Sequence, residues 1–357
     1  MLFEKITPYS HIKKERKKLR DMLPLPMPIA LFVEPTNYCN FKCKFCAISL
    51  PEYNKYVKSP THISFNLVER IFNEIKQLNK KKGGGKLKVL RLYYLGEPFL
   101  NPQFVDILNL ANVLEIAERI EITSNASLLK KEYAEKLCRV AQNGNSKIYL
   151  RFSIYSVIQE RHKRITGSGL DIRNIYDNIA YCKKIRDTLQ INNLFIYAKM
   201  IDTFSTENET FLNLYKNIVD EVTIEHPMNW SGFNETNLIK NAYGKDIQLT
   251  VKKGRKVCAY PFYSIAINAD GSVVACCVDW SRKTALGNVN TQTLYEIWNG
   301  TQLNELRKLH LCGERIKNEA CKYCEYLHSQ PIEDDLDSLS YNEWTDKIKS
   351  LQDGACN

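Results

Sequence analysis

The sequence predicts an α/β protein in which a parallel sheet closes part of the way into a barrel and a small cysteine-rich unit follows. Six short segments rich in β-branched and aromatic residues alternate with helical patterns between residues 29 and 250. Beyond residue 250 the pattern changes to a hairpin with paired cysteines. Strand–helix units in series form a parallel sheet, and a full barrel needs eight of them. Six units therefore predict a partial (β/α)6 TIM-like barrel.

The first part of the chain supplies the barrel. Residues 1–28 form a basic N-terminal extension that ends in a proline-rich stretch. The clearest helix begins after Ser64, a candidate N-cap, and repeats apolar residues every three or four positions from Leu67 to Leu78. The barrel domain spans residues 29–250, and its six predicted strands are 29–34, 87–94, 119–123, 148–154, 194–200 and 221–225.

Residues 251–330 predict a small second domain with a β-hairpin and a helix. Residues 262–268 alternate like a strand, Asp270 and Gly271 form a turn, and residues 272–277 return as a second strand. A helix follows near residues 294–309, and Cys321 and Cys324 close the unit. The remaining residues, 331–357, are polar and acidic, and we interpret them as a C-terminal tail.

Composition and charge exclude several classes of protein. The chain is 44% hydrophobic, which is sufficient for a core, and no apolar run is long enough to cross a membrane. The N-terminus lacks a secretory pattern, so we expect a cytoplasmic protein whose thiols bind a metal or cofactor instead of forming disulfides. Much of the net charge of +10 lies in residues 13–20 and 80–86. No RNA-binding motif accompanies this charge, so nucleic acid is not an expected partner.

Three cysteines follow the first predicted strand within eight residues: Cys39, Cys43 and Cys46. A short loop can wrap three thiolates around one [4Fe–4S] cluster, which leaves one iron open to bind and activate a small molecule. The alternative is a zinc site that borrows a distant fourth ligand, since the nearest histidine, His62, lies 16 residues beyond Cys46. The spacing favours iron–sulfur chemistry and leaves zinc open.

The spacing CxxxCxxC, with Phe45 before the last cysteine, resembles the signature of the radical S-adenosylmethionine (SAM) superfamily. The segment Gly96-Glu97-Pro98 resembles the family element that faces the methionine amino group of SAM, with Leu95 in place of a first glycine. The resemblance implies that SAM and a [4Fe–4S] cluster are cofactors. The further residues that resemble the family's SAM-binding positions are Ser124, Asn125, Ser153 and Arg164.

The second set of cysteines resembles the SPASM or twitch extension that follows many radical SAM barrels. The resemblance implies an auxiliary [4Fe–4S] cluster held by Cys258, Cys276, Cys321 and Cys324. Cys277 directly follows Cys276, and successive residues of a strand face opposite ways, so we expect Cys277 to be a spare thiol. A zinc site with four thiolate ligands is the alternative for this set.

The resemblance implies an oxidoreductase that cleaves SAM reductively to a 5′-deoxyadenosyl radical, which abstracts hydrogen from the substrate. A cluster ligated entirely by cysteine favours a two-electron oxidation, and we expect a small hydroxylated metabolite of the sugar or cyclitol type. Candidate proton acceptors are Asp279, Asp202 and His226. The expected electron donor is a flavodoxin or ferredoxin.

Two other functions remain open from the sequence. A radical SAM enzyme of this group could mature a peptide or protein, although we expect the short N-terminal extension to be too small for a leader-binding domain. A zinc-stapled, non-catalytic binding protein is the alternative outside the enzymes.

Overall fold

One sheet runs through both predicted domains. The computed structural model describes residues 17–57, 59–81, 86–225 and 254–354, with side chains described except at 79–81 and 350–354. Its strands are β1 (Ala30–Val33), β2 (Val89–Arg91), β3 (Arg119–Ser124), β4 (Lys147–Ile154), β5 (Leu194–Ile201), β6 (Glu221–Glu225), β7 (Ser264–Ile267), β8 (Ser272–Val274) and β9 (Ala285–Asn288).

The helices alternate with the first six strands, and one short helix precedes the hairpin while the others follow it. They are α1 (Leu19–Met22), α2 (Tyr53–Tyr56), α3 (Phe65–Lys81), α4 (Phe104–Val113), α5 (Lys131–Gln142), α6 (Gln159–Thr166), α7 (Ile172–Thr188), α8 (Glu207–Tyr215), α9 (Tyr260–Tyr263), α10 (Leu294–Trp298), α11 (Thr301–Leu311) and α12 (Tyr341–Gly354). The Leu67 amide donates to Ser64 Oγ at 3.3 Å, which confirms the predicted N-cap of α3. Across the described ranges, no helix is both long and apolar enough to span a bilayer.

The strand order is β6-β5-β4-β3-β2-β1-β7-β8-β9. Strands β1 to β6 are parallel neighbours in chain order, and β6 and β9 are the outermost strands among the described residues. The predicted α/β fold with a parallel sheet is therefore confirmed. The hairpin of β7 and β8 was not expected to join this sheet, but β7 pairs in parallel with β1. This pairing covers the β1 edge of the barrel, which would otherwise expose unpaired backbone groups.

The two faces of the barrel sheet differ in chemistry. Leu31, Leu90 and Ile120 lie in the main hydrophobic core, where the helices pack against the sheet. Their neighbours Arg91 and Glu121 alternate with them, so these charged side chains lie on the inner face. The fold therefore places polar groups inside the barrel, where a ligand would bind.

The ends of the described chain form a second, smaller core instead of a loose extension and tail. Leu19 of α1 and Trp344 of α12 are buried in it, and the Trp344 ring packs edge-on against Phe262 with centroids 5.3 Å apart. Arg20 pairs with Glu343 at 2.9 Å and joins the same two helices. Composition alone suggested solvated ends because these apolar residues are widely separated in the sequence.

The charged network inside the barrel centres on Glu121. Arg91 Nε and Arg119 Nε lie 2.9 Å and 2.8 Å from the Glu121 carboxylate, and Arg151 Nη1 lies 3.8 Å away. Burial opposes ionisation of this carboxyl, but the guanidinium groups outweigh it and hold its pKa at about 2, below its ordinary value of 4.5. The lowered pKa stabilises the fold fully above pH 4.5, and this contribution is lost as the pH falls toward 2.

We expect Glu121→Gln to lower the free energy of unfolding at pH 7 by about 3–5 kcal/mol, because it leaves buried arginines without their counter-charge. Glu118→Gln is the matched control. Glu118, the residue just before β3, pairs with Lys88, and both side chains of this pair are more than half exposed. Its loss should cost at most about 1 kcal/mol. Urea unfolding followed by circular dichroism measures the free energy of unfolding of both variants. Equal losses in the two would contradict a stabilising role for the buried Glu121 network.

Candidate functional site

The loop after β1 carries the three predicted cluster ligands. Cys43 is buried, and Cys39 and Cys46 are partly buried. Burial raises the pKa of all three thiols, that of Cys39 to about 12. The mutual repulsion of neighbouring thiolates adds to the effect at Cys39 and Cys43. Three thiols in one loop whose pKa values are raised in this way become thiolates readily only when a positively charged centre binds them, so these residues fit an iron–sulfur cluster.

Two other segments hold this loop in place. The backbone amides of Lys42 and Lys44 donate to carbonyls of the last turn of α6 at 2.8 Å and 2.9 Å. Tyr155, the residue after β4, donates a hydrogen bond to the Cys43 thiol. Its ring lies 6.1 Å from Phe41 and 5.6 Å from Phe45 between centroids. Sequence analysis missed Tyr155, and its position at the carboxyl end of a parallel strand was the available signal.

Gly96 allows the loop after β2 to approach the cysteine loop. A Cβ atom at this position would lie 2.0 Å from the Thr36 carbonyl oxygen and 2.7 Å from that of Tyr38. The Glu97 amide donates to the same Tyr38 carbonyl at 2.9 Å. The glycine is therefore required for close backbone contact between the two predicted motifs.

We expect Gly96→Ala to separate these loops, because backbone atoms cannot move aside as a flexible side chain can. Overpacking of this kind costs about 1–3 kcal/mol or more. Loss of SAM binding in equilibrium dialysis, with far-ultraviolet circular dichroism unchanged, is the expected result. Gly169→Ala is the control, since a Cβ there meets no atom within 4 Å. Unchanged SAM affinity in Gly96→Ala would contradict this role.

Glu97 joins the β2 loop to the end of β3. Its buried carboxylate accepts hydrogen bonds from Ser124 Oγ and the Asn125 amide, both at 2.8 Å. Pro98 begins a short 3-10 turn, and the amide of Phe99 donates to Glu97 at 3.2 Å. Burial raises the pKa of Glu97 to about 7 despite these donors. A buried carboxylate held by neutral donors gains most from a cationic ligand, such as an amino group.

Asn125 links this carboxylate to the cysteine loop. Its Nδ2 donates to Asn40 Oδ1 at 3.0 Å and lies 3.9 Å from Cys39 Sγ. The structure thus brings together the cysteine loop and five of the predicted SAM-binding positions that follow β2 and end β3. These are Gly96, Glu97, Pro98, Ser124 and Asn125.

The two remaining SAM-binding predictions lie apart from this network. Ser153 is a half-buried residue near the end of β4, beside Lys199 of β5 in register. Arg164 is exposed on α6. Neither makes a contact that shows a role in binding SAM, so both assignments stay predictions.

A cluster of polar and charged side chains lies next to Ser153. Lys199 Nζ and Glu225 Oε2 are 2.7 Å apart, and Arg151 Nη2 lies 3.5 Å from the same carboxylate. Arg151 also donates to the Tyr93 phenol at 2.9 Å. Sequence analysis missed Arg151 and Glu225 as site residues. The registers of β4 to β6 bring them together, and no local pattern encodes those registers.

The predicted proton acceptors have other contacts. Asp279 accepts hydrogen bonds from the amide and hydroxyl of Thr284 at 2.6 Å each, and from Ser281 and Lys283 at 3.1 Å. Asp202 accepts from the Phe204 amide and Asn208 Nδ2 at 2.7 Å each. Each carboxylate therefore orders the turn that follows it. None of these contacts indicates a role in proton transfer. His226 lies outside the described residues.

The second cysteine set lines one buried cavity. Burial raises the pKa of each of Cys258 and Cys321, and the neighbouring thiols add to this effect. The four cysteines in the cavity wall are Cys258, Cys276, Cys321 and Cys324. These are the four predicted ligands, and the clustering of four partly buried thiols around one cavity fits them to an iron–sulfur cluster.

Cys277 differs from the other cysteines of this unit. β8 ends at Val274, so strand alternation does not extend to Cys276 and Cys277, and their thiols contact each other instead of facing opposite ways. The hydrogen bond with Cys276 lowers the pKa of Cys277, and the charge of Arg91 and a hydrogen bond from Tyr260 act in the same direction. Only Cys276 of the pair lines the cavity.

Neither set of cysteines is arranged in the described residues to bind a single metal ion. Within the described ranges, no group of three or more His, Cys, Asp or Glu side chains is placed to hold one metal ion. A four-iron cluster binds each thiolate through a different iron, so its ligands do not converge on one point.

Comparison with protein families assigns both parts of the chain. The family model described as the radical SAM superfamily matches residues 33–197. The model of SPASM, described as an iron–sulfur cluster-binding domain, matches residues 258–325. Together the two matched ranges include every cysteine of both predicted ligand sets.

Curated relatives match over shorter stretches. The chain is 24% identical over 178 residues to GTP 3′,8-cyclase of Aquifex aeolicus, which covers 50% of this chain and 51% of the cyclase. It is 28% identical over 81 residues to the S-adenosyl-L-methionine-dependent 2-deoxy-scyllo-inosamine dehydrogenase of Niallia circulans, covering 23% of this chain and 32% of the dehydrogenase. The chain thus matches about half the length of the cyclase and a third of the dehydrogenase.

Solved structures share the fold. Streptococcus suis SuiB bound to precursor peptide SuiA aligns with a TM-score of 0.59 and 17% identity, over 87% of this chain and 72% of SuiB. BtrN in complex with AdoMet and 2-DOIA aligns with a TM-score of 0.51 and 17% identity, over 84% of this chain and 93% of BtrN.

The family matches decide between the alternatives for the cysteines. A radical SAM domain followed by an iron–sulfur domain implies [4Fe–4S] clusters and SAM as cofactors. The protein is therefore an enzyme, and the zinc-stapled binding protein is excluded. The chain belongs to the radical SAM superfamily and carries a C-terminal SPASM domain.

Proposed function

We propose that the enzyme catalyses a SAM-dependent two-electron oxidation of a small hydroxylated metabolite of the sugar or cyclitol type. The observation that carries the proposal is the cavity in which four cysteines surround one auxiliary site. When bound, the clusters and SAM supply single-electron transfer and hydrogen-atom abstraction. A site with four cysteine ligands leaves no iron open for substrate, which favours a role in accepting an electron from the substrate radical.

The chain's own residues supply binding and proton transfer in this proposal. Lys199, Glu225 and Arg151 form a charged set beside Ser153, the residue we propose to contact the ribose of SAM. Such donors and acceptors suit a ligand rich in hydroxyl groups. Oxidation of an alcohol releases a proton, and the Lys199–Glu225 pair is placed to take it up. Burial lowers the pKa of Lys199, and the charges of Lys199 and Arg151 outweigh burial and hold the pKa of Glu225 below its ordinary value, so Glu225 is the ionised acceptor of the pair.

The relatives support the same class of substrate. One curated relative is a dehydrogenase of 2-deoxy-scyllo-inosamine, and BtrN was solved with 2-DOIA. We place the reaction in the cytoplasm, with a flavodoxin or ferredoxin as the electron donor. The proposed domains remain residues 29–250 for the barrel and 251–330 for the auxiliary unit.

The test incubates the anaerobically reconstituted, reduced enzyme with SAM and a panel of cyclitols, aminocyclitols and sugars. We expect one substrate to yield a product two mass units lighter in a 1:1 ratio with 5′-deoxyadenosine, measured by liquid chromatography and mass spectrometry. Deuterium at the oxidised carbon should appear in 5′-deoxyadenosine. Turnover of SAM that no member of the panel stimulates would contradict this substrate class.

Peptide modification is the second candidate. Its support is the alignment with SuiB bound to its precursor peptide. The same assay distinguishes the two functions when short precursor peptides are included in the panel. Stimulation of 5′-deoxyadenosine formation by a peptide, and not by a cyclitol, would favour maturation.

A further inference from the structure

His310 lies in the wall of the auxiliary cavity. It occupies the last turn of α11 and is 1% exposed. The cavity that the four cysteines line also includes His310 and Arg315. Neither residue belongs to the predicted ligand set, so the function of this buried imidazole needs a separate explanation.

The hydrogen bond at one ring nitrogen of His310 determines the state of the other. The Cys258 backbone N–H donates to His310 Nδ1 at 3.2 Å, so Nδ1 acts as an acceptor. Because Nδ1 accepts this hydrogen bond it carries no proton, so the single ring proton of His310 lies on Nε2.

The Nε2–H group has no partner among the protein atoms that the structure describes. A buried donor without an acceptor costs about 1–3 kcal/mol, so such a group is expected to meet an acceptor from a bound group. The cavity beside it is the site we propose for the auxiliary cluster, whose sulfur atoms are hydrogen-bond acceptors.

We propose that His310 donates its Nε2–H hydrogen bond to a sulfur of the auxiliary cluster and thereby raises the cluster's reduction potential. The inference rests on the proposed ligand set for that cluster. Reduction adds negative charge to the cluster, so a donor to sulfur stabilises the reduced form more than the oxidised form. In this proposal His310 contacts the cluster directly and makes it a better electron acceptor.

A second donor supports a site built for this purpose. Gln330 Nε2 donates to Cys258 Sγ at 3.2 Å, while its Oε1 accepts from the Ala259 amide at 3.0 Å and fixes the side chain. The Arg315 guanidinium donates to the backbone carbonyl of Cys321 and adds positive charge near the ligands. Hydrogen bonding and charge therefore act on the cluster in the same direction as His310.

The test compares His310→Phe, which removes the donor, with His310→Gln, which keeps an N–H group. Both are made in the full chain with the two clusters, and again with Cys39, Cys43 and Cys46 changed to alanine to isolate the auxiliary signal. Redox titration followed by electron paramagnetic resonance gives the potential. We expect His310→Phe to disfavour reduction roughly tenfold, a negative shift of about 59 mV for one electron. His310→Gln should remain near the wild-type potential, with the iron content of both unchanged.

An unchanged potential in His310→Phe with iron retained would overturn the proposal. If His310→Phe loses iron, a measurement on the unaltered chain decides. Labelling with 15N-histidine should give a weak nitrogen hyperfine coupling and an exchangeable proton coupling to the reduced auxiliary cluster. Absence of both couplings, or a strong coupling typical of direct iron–nitrogen ligation, contradicts the hydrogen bond. Loss of all iron in the chain with the three alanines contradicts the ligand set itself and separates that failure from one of His310.

Discussion

Replacement of Cys39, Cys43 and Cys46 by alanine is expected to abolish 5′-deoxyadenosine formation while about half of the iron is retained. These residues are the only cysteines on the loop that Glu97 and Asn125 contact. Without their thiolates, no cluster can bind next to the SAM site, and SAM receives no electron. The auxiliary cavity is formed by other segments, so its four irons should remain from a total of about eight.

Iron analysis and a single-turnover assay with dithionite measure this result. Cys312→Ala is the control, because Cys312 is exposed at the end of α11 and does not line the auxiliary cavity. It should keep both the iron and the SAM cleavage of the unaltered enzyme. Persistence of SAM cleavage in the triple variant would show that the first cluster lies elsewhere.

Local sequence pattern was sufficient for the strands of the barrel. The predicted sixth strand, residues 221–225, matches β6 at both ends, and the fourth differs from β4 by one residue. The join between β1 and β7 was not predictable in this way, because it pairs segments more than 200 residues apart. Residues 260–263 form α9, although part of this stretch was predicted as strand. Pro261 in its first turn favours the helix and was a usable signal.

The residues of the site also divide into those that a local motif predicted and those that only the fold brings together. Cysteine spacing and Gly96-Glu97 predicted two loops that the structure brings into contact, because each motif carries its chemistry in adjacent residues. Tyr155 and His310 were missed, since each acts on a cysteine that only the fold brings near it. Asp279 was selected for its position after the cysteine pair. The Ser and Thr residues that follow it indicated a side-chain–backbone turn, and the structure has one.

The second large effect is expected at Cys276 and Cys277, where one of two adjacent thiols is the proposed cluster ligand and the other is not. Cys276→Ala should lose about half of the iron and all oxidised product, whereas Cys277→Ala should keep the iron. Cys276 lines the cavity with the other three predicted ligands, and Cys277 instead contacts Tyr260. Removing one of four thiolates leaves an incomplete ligand set. Because the two thiols contact each other, each variant also controls for disturbance of the other's surroundings.

The pattern of products in Cys276→Ala tests the role of the auxiliary cluster itself. The loop of Cys39, Cys43 and Cys46 is separate from this cavity, so SAM cleavage should continue. The substrate radical would then lack its electron acceptor, and 5′-deoxyadenosine should form without the oxidised product. Mössbauer spectroscopy and product analysis of the two variants measure this difference. If Cys277→Ala loses the iron and Cys276→Ala keeps it, Cys277 is the ligand. If Cys276→Ala loses iron but still oxidises the substrate, the auxiliary cluster is not the electron acceptor.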